Sequence, residues 1–135
     1  MDLSLEGKVA IVTGGSKGIG RATALALAQE GVDVAICARG VEDLEGAAAE
    51  IRSKTARKAL AVQADMGDPD DIKNLVAATV ASSTVMFASF AWRSKSMVES
   101  QDIADLILFL VSDRAGAITG QTIAVEGGAG RGMHY

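Results

Sequence analysis

The stretch Thr13–Gly20, which reads TGGSKGIG, separates a short apolar run from an alanine-rich segment. The run before it, Val9–Val12, is rich in β-branched residues, as is typical of a strand buried in a parallel sheet. The segment after it, Arg21–Glu30, repeats apolar residues at the spacing of a helix. The glycines are therefore predicted to lie where a strand passes into a helix.

This junction suits the binding of a phosphate group. The first N–H groups of a helix have no internal partner, and the helix dipole places partial positive charge at the same point. Glycine lets an anion approach the backbone closely and permits positive φ. Three glycines can also form a tight turn without a ligand, but the strand-to-helix context favours a phosphate site at Gly14, Ser16, Lys17, Gly18, Ile19 and Gly20.

The spacing of the glycines points to a family. They follow a G-x-x-x-G-x-G pattern, not the G-x-G-x-x-G fingerprint, and Thr13 precedes them. The loop closely resembles the cofactor loop of the classical short-chain dehydrogenase/reductase family. The resemblance covers residues 5–80 and 97–128, and it implies a Rossmann-like α/β fold with a doubly wound parallel sheet. Residues 81–96 form an atypical junction between these parts, and the family's central catalytic segment is missing.

Length and composition bound the other possibilities. A chain of 135 residues with 49% hydrophobic content suffices for one core, so we expect a single domain over residues 1–135. The net charge of −4 and the lack of a long basic run argue against a nucleic-acid partner. The single cysteine, Cys37, excludes an internal disulfide and is expected to be a small buried side chain rather than a reactive thiol.

The sequence also suggests where the protein resides. The N-terminus has no basic region before an apolar stretch, so we expect no signal peptide. The uncharged stretch Asn74–Trp92 approaches the length of a membrane-spanning helix, but its Asn, Thr and Ser residues argue against a span. Together with the single cysteine, these features predict a cytoplasmic protein that does not enter a membrane.

Hydrophobic periodicity predicts alternating strands and helices, and hence parallel strands joined by right-handed crossovers. The predicted strands are 7–13, 32–38 and 59–64, and the predicted helices are 19–30, 42–54 and 69–80, with a further helix from Ser100. Gly31 is expected to cap the first helix. The second helix should bury Leu44, Ala47, Ala48 and Ile51 and expose Glu42, Glu45, Glu50 and Arg52, and the third should bury Ile72, Leu75 and Val76.

Arg39 comes directly after the second predicted strand. In a nucleotide-binding β-α-β unit, an acid at this point accepts a hydrogen bond from the ribose 2′-hydroxyl, whereas a basic residue meets a 2′-phosphate. Ala38 stands where NAD users of the family would place the acid, and Lys17 can approach the same phosphate from the glycine loop. The sequence therefore predicts NADP(H) as the cofactor, with a solvated turn residue as the alternative role of Arg39.

Asp65 and Met66 follow the third predicted strand. They resemble the family's acid and apolar pair at the adenine. The resemblance implies that the carboxylate accepts from the exocyclic amine and that Met66 packs against the ring; an ordinary loop carboxylate is the alternative. The next acids, Asp68, Asp70 and Asp71, are explained by the start of a helix with Asp68 as N-cap and Pro69 in the first turn, so no chemistry is assigned to them.

No catalytic residue and no metal site is predicted. The family uses a Tyr-x-x-x-Lys motif and a serine, but the single tyrosine here is the terminal residue, Tyr135, beside the single histidine. Ala91–Val98 has the Ser-Lys spacing of the family's catalytic helix, and Ser82 and Ser83 precede it, yet Ala91 stands where the tyrosine belongs. The same residues also suit the lead-in to the next helix.

A doubly wound sheet without its fourth strand would expose the edge of its first strand. We expect Thr84–Phe90, an apolar and partly β-branched run, to fill that place. The sheet would then have about five strands, with the family-like last strand within Thr119–Gly128. The alternatives are that Gln121–Glu126 docks at this edge, or that the edge pairs with a second copy of the chain.

Three hypotheses for function follow. The first is an NADP(H)-dependent oxidoreductase of this family, of which the chain keeps the nucleotide-binding part with little or no activity of its own; a carbonyl or alcohol substrate would be met only by a full-length relative. The second is a non-catalytic dinucleotide-binding or oligomerisation module that joins partners through Asp102–Val125. The third is an incomplete or internally deleted gene product. The resemblance implies a dimer or tetramer, and exposed apolar surface would favour a homo-oligomer.

Overall fold

The computed structural model describes residues 3–79, 85–88 and 99–115. Strands and helices alternate through this part of the chain. Their bounds are β1 (Val9–Thr13), α1 (Gly18–Gln29), β2 (Asp33–Ala38), α2 (Val41–Thr55), β3 (Ala59–Gln63), α3 (Pro69–Thr79), β4 (Val85–Ala88) and α4 (Ser100–Val111), with a short 3₁₀ turn at Asp113–Ala115.

The described strands form one parallel sheet in the order β3-β2-β1-β4. β1 therefore lies inside the sheet, with β2 on one side and β4 on the other. The register places Ile11 opposite Ala35 of β2 and Phe87 of β4. This is the Rossmann-like arrangement that the sequence predicted, and it aligns the carboxyl ends of β1, β2 and β3 along one edge of the sheet.

β4 fills the place beside β1 that the sequence left in question. Val85–Ala88 pairs in parallel with Val9–Val12, so the strand predicted within Thr84–Phe90 is confirmed for its four central residues. Thr84, Ser89 and Phe90 lie outside the described residues, as does the predicted strand at Gln121–Glu126. The edge of β1 is covered within this one chain, without a second copy.

Residues of the strands alternate between two layers of core. On one side, Ala10, Val12, Val34 and Ile36 pack with buried residues of α1 and α2 such as Leu27 and Ile51. On the other side, Ile11, Ala35 and Cys37 pack with Leu75 of α3. α4 packs against α1 and against the first of these core layers, and it buries Ala104 and Ile107. The alternation follows from the two-residue period of a strand.

Gly31 ends α1 as predicted. It has φ of +87°, and its N–H donates to Ala28 O at 3.1 Å while the N–H of Val32 donates to Leu27 O at 3.1 Å. This pair of bonds is the Schellman motif, which satisfies the last carbonyls of a helix and favours glycine at this position. It turns the chain directly into β2.

The predicted buried residues are confirmed for α2 but only in part for α3. Leu44, Ala47, Ala48 and Ile51 of α2 are all buried, as predicted. In α3 only Leu75 of the predicted residues is buried, whereas Ile72 and Val76 are 38% and 39% exposed. The prediction for these two was wrong because the buried side of α3 is narrow: only Leu75 and Thr79 of Pro69–Thr79 are buried, and Ile72 and Val76 lie beside them towards solvent.

Glu50 was expected to be a solvated surface charge of α2, but it joins two helices. Its carboxylate accepts hydrogen bonds from Nε and Nη2 of Arg21 in α1, the former at 2.7 Å, and from Nζ of Lys54 at 2.6 Å. The side chain of Glu50 is only 23% exposed. These hydrogen bonds, first from Lys54 and then from Arg21, hold the pKa of Glu50 below its ordinary value of 4.5.

This ion-pair network predicts a pH-dependent contribution to stability. Because the folded-state pKa of Glu50 is lowered, its contribution is fully present above pH 4.5 and is lost as the pH falls through the lower folded-state value. We expect Glu50→Gln to reduce the free energy of unfolding by about 1 kcal/mol at neutral pH. Urea unfolding at a series of pH values measures this difference.

Glu45→Gln is the matched control, since Glu45 lies on the same helix and is exposed. We expect the difference between Glu50→Gln and the wild type to shrink below pH 4.5 and the control to stay close to the wild type throughout. A deficit in Glu50→Gln that is the same at every pH would contradict the ion-pair explanation.

Candidate functional site

A cleft of about 510 Å³ opens at the carboxyl ends of β1, β2 and β3. The loop after β1 contributes Gly14, Ser16 and Lys17. Residues 37–40 contribute from the end of β2, together with Asp43 of α2, and residues 64–66 contribute from the end of β3. Its volume lies in the range typical of sites for small molecules and cofactors.

Backbone hydrogen bonds tie the loops around the cleft to one another. The N–H of Gly15 donates to Cys37 O, and the N–H of Ala64 donates to Ala38 O, both at 3.1 Å. The side-chain amide of Gln63 donates to Arg39 O at 2.9 Å. The loops after β1, β2 and β3 are therefore held in fixed positions relative to each other.

The glycine loop leads into α1, whose first turn has no side-chain cap. Lys17 occupies the N-cap position in an extended conformation, and within the described part of the chain no side chain caps this turn. The N–H of Arg21 is the first to find a helical acceptor, Lys17 O at 3.3 Å. The N–H groups of Gly18, Ile19 and Gly20 precede it, and the positive end of the helix dipole lies at the same point.

Gly20 brings this first turn close to the loop. A Cβ atom at Gly20 would lie 2.2 Å from Gly14 O, which is far inside van der Waals contact and involves backbone on the other side. Gly20 is buried, and Gly14 adopts a φ of +67°. The helix can therefore pack onto the loop only if residue 20 has no side chain.

Gly15 was not singled out from the sequence, yet it is equally restricted by contacts. A Cβ atom there would lie 2.7 Å from the Cβ atom of Ile36 in β2. The glycine pair at 14–15 was the available signal, but only the pairing of β1 with β2 brings Ile36 against it.

Charges of both signs face the cleft. Lys17 and Arg39 supply positive charge, and Asp43 and Asp65 supply negative charge. Lys17 was expected to face a phosphate beside Arg39; in the structure its Nζ lies 2.6 Å from Oδ2 of Asp43. Asp43 was not singled out from the sequence; it lies in the first turn of α2, where an acid suits the helix dipole without any ligand.

The turn at Asp65–Met66 is braced by two carboxylates. Oδ1 of Asp65 accepts from the N–H of Gly67 at 2.9 Å, and the N–H of Asp65 donates to Oδ2 of Asp71 at 2.8 Å. Asp68 caps α3 as predicted, since its Oδ1 accepts from the N–H of Asp70 at 2.8 Å. Asp71 was assigned only to the helix dipole, but it also holds the backbone of the cleft in place.

Cys37 is the small buried side chain that the sequence predicted. It borders the cleft from the end of β2. Burial raises the pKa of the thiol, and a hydrogen bond from the backbone of Gly14 only partly opposes this rise. The thiol is therefore protonated at neutral pH and is a poor nucleophile.

The segments considered for catalysis, Ser82–Ser83, Ala91–Val98 and Tyr135, lie outside the described residues. Among residues 3–79, 85–88 and 99–115, no group of three or more His, Cys, Asp or Glu side chains could hold a metal ion. In the same part of the chain, every helix is too short or too polar to cross a bilayer.

Comparison with known proteins agrees with this architecture. Residues 8–85 match the family model described as short chain dehydrogenase, which is more than half of the chain. The chain belongs to the short-chain dehydrogenase family. Residues 90–130 match a second model, described as enoyl-(acyl carrier protein) reductase.

Similar proteins include an uncharacterised oxidoreductase of Mycobacterium tuberculosis, 46% identical over 66 residues, which make up 49% of this chain and 25% of the relative. An L-rhamnose 1-dehydrogenase (NAD(P)(+)) of a Sphingomonas species is 44% identical over 77 residues, or 56% of this chain and 30% of the relative. The matched part thus spans between a quarter and a third of these two proteins.

Among solved structures, L-sorbose reductase of Gluconobacter frateurii, complexed with NADPH and L-sorbose, is similar with a TM-score of 0.63 and 27% identity. The similarity covers 82% of this chain and 44% of the reductase.

Two glycine-to-alanine substitutions in helices should change the free energy of unfolding in opposite directions. Gly20→Ala forces its methyl group against Gly14 O, so we expect a loss of about 1–3 kcal/mol in the free energy of unfolding. Gly46→Ala is the control, because a Cβ atom there meets nothing within 4 Å. We expect this second variant to be stabilised by about 0.4–1 kcal/mol.

Urea unfolding of both variants measures these differences. A Gly20→Ala protein as stable as the wild type would show that the loop can move aside, and the close packing would then not constrain the site.

Proposed function

We propose that the chain is the nucleotide-binding part of a short-chain dehydrogenase/reductase and that its cleft holds the adenosine and pyrophosphate groups of NADP(H). The observation that supports this most is the convergence on one cleft of the glycine loop, Arg39 and the Asp65–Met66 turn. In its reduced form a nicotinamide dinucleotide donates a hydride to a carbonyl, and in its oxidised form it accepts a hydride from an alcohol.

The geometry of the glycine loop fits a pyrophosphate group. The N–H groups at the start of α1 have no capping side chain among the described residues, and the close packing of Gly20 against Gly14 O fixes this first turn against the loop. We assign the binding of the pyrophosphate to Gly14, Ser16, Gly18, Ile19 and Gly20. The restriction at Gly20 exists independently of any ligand, so the loop is preorganised for one.

Arg39 and Lys17 are proposed to bind the 2′-phosphate. Both line the cleft, Arg39 is exposed, and Ala38 at the end of β2 offers no carboxylate to a ribose 2′-hydroxyl. Charge-assisted hydrogen bonds contribute roughly 1.5–3 kcal/mol each, so each contact would favour NADP(H) over NAD(H) by about tenfold or more.

Asp65 and Met66 are proposed to hold the adenine. Both line the far end of the cleft from the glycine loop, and the hydrogen bond from Gly67 orients the Asp65 carboxylate without using all of its acceptor positions. The carboxylate would accept from the exocyclic amine, and Met66 would pack against the ring.

We infer little or no turnover by this chain alone. A carbonyl needs a proton donor beside its oxygen, and the sequence has no Tyr-x-x-x-Lys motif. The substrate, a carbonyl or alcohol, would be bound by a full-length relative. In this proposal residues 1–135 form one cytoplasmic nucleotide-binding domain that associates with further copies.

The proposed phosphate site predicts a loss of discrimination when its charge is reversed. Fluorescence titration of the wild type with NADPH and NADH should give tighter binding of NADPH. Arg39→Asp should lose about tenfold or more in affinity for NADPH and little for NADH, because only the former carries the 2′-phosphate. Lys73→Asp makes the same charge change at an exposed site on α3 and should bind both as the wild type does. Equal affinity of the wild type for the two dinucleotides would contradict the assignment of Arg39.

The absence of the catalytic motif predicts no reduction of carbonyls. The chain incubated with NADPH and a panel of ketones should not lower the absorbance of NADPH beyond a protein-free blank, while a full-length family member assayed alongside should do so. Turnover by the chain alone would overturn the inference that it lacks a proton donor, and it would favour a catalytic role for the serine and lysine residues of Ala91–Val98.

A further inference from the structure

The ion pair between Lys17 and Asp43 lies inside the cleft that also contains Arg39. Nζ of Lys17 and Oδ2 of Asp43 are 2.6 Å apart. Lys17 stands directly before α1, and Asp43 lies in the first turn of α2, so the pair crosses the cleft from one helix start to the other.

This pair is not needed for the fold. The side chains of Lys17 and Asp43 are 72% and 52% exposed, and ion pairs this open to water add little to stability. Glu42, in the same turn, also places a negative charge at the positive end of the α2 dipole. The main effect of the ion pair between Asp43 and Lys17 is therefore to lower the positive charge of the cleft.

We propose that Asp43 is a specificity-determining residue, which limits the preference of the site for a phosphorylated dinucleotide by occupying Lys17. This inference rests on the function proposed above. Lys17 and Arg39 together offer two positive charges, and Asp43 neutralises the first of them in the absence of a ligand. A 2′-phosphate must share Lys17 with this carboxylate or displace it, whereas an unphosphorylated ribose is neutral and does not compete for Lys17.

Among the residues that the structure describes, Asp65 is the other acid that lines the cleft. It lies after β3, and its carboxylate is oriented by the N–H of Gly67. Asp43 is thus the acid that opposes the phosphate site directly, and removing its charge should strengthen binding of phosphorylated ligands selectively.

The test compares 2′,5′-ADP with 5′-AMP, which differ only by the 2′-phosphate, by calorimetric titration of the full chain. Asp43→Asn should bind 2′,5′-ADP about three- to tenfold more tightly than the wild type does, as expected when the exposed ion pair that competes with the phosphate for Lys17 is removed. Its affinity for 5′-AMP should not change. The gain should diminish as salt is added, because the interaction is between solvent-exposed charges.

Glu42→Gln is the matched control, since it removes the same charge from the same helical turn and Glu42 does not line the cleft. It should bind both ligands as the wild type does. Asp43→Ser, which keeps a residue suited to a helix start, should repeat the gain, and circular dichroism checks that each variant is folded.

The contact with Lys17 is tested by repeating the comparison in a Lys17→Gln background. There, Asp43→Asn should give little or no gain, because the cation that Asp43 occupies is gone. A gain of equal size in that background would overturn the proposal, as would equal 2′,5′-ADP affinities of Asp43→Asn, Glu42→Gln and the wild type.

Failure of the proposed function gives a different result. A folded wild type that binds neither nucleotide would overturn both the proposed function and this inference. A wild type that prefers 2′,5′-ADP, combined with an Asp43→Asn variant indistinguishable from it, would overturn the role of Asp43 alone.

Discussion

The contact between Gly20 and the carbonyl of Gly14 is the constraint on which the candidate site depends. A side chain at residue 20 would overlap the backbone of the loop, so the start of α1 can lie against the end of β1 only with glycine there. Close packing fixes the first turn of the helix against this loop, whose residues Gly14, Ser16 and Lys17 line the cleft. An anion bound at that point would meet donors that are already fixed and would not have to order them.

The sheet places the other walls of the cleft. Because β1, β2 and β3 are parallel and adjacent, their carboxyl ends lie side by side, and backbone bonds from Gly15 and Ala64 join the loops that follow them. α1 and α2 are held together by core packing beneath and by Glu50 above. Since Lys17 precedes α1 and Asp43 lies in the first turn of α2, the same packing brings these two residues to one cleft.

The cleft therefore combines a rigid backbone with adjustable electrostatics. The glycine contacts and strand register leave little freedom in the loops, whereas Lys17, Arg39 and Asp43 are exposed side chains whose mutual interactions depend on ligand and salt. Discrimination between a ribose hydroxyl and a ribose phosphate would then rest on surface charge. Such a site can change its preference through substitutions that leave the fold intact.

The sequence by itself determined the local features of this protein. The glycine loop, the cap at Gly31, the N-cap at Asp68 and the buried face of α2 were predictable, because each depends on residues close together in the chain or on a short period. The apolar run of β4 was visible in the sequence too, but its pairing with β1 was one of three alternatives until the fold decided it. Tertiary structure alone decided the pairings of Lys17 with Asp43, Glu50 with Arg21 and Asp71 with the Asp65 backbone. It also decided the exposure of Ile72 and Val76. Periodicity and spacing indicate which side chains share a face, but only the packing of distant segments determines which charge meets which, and which apolar face finds a neighbour.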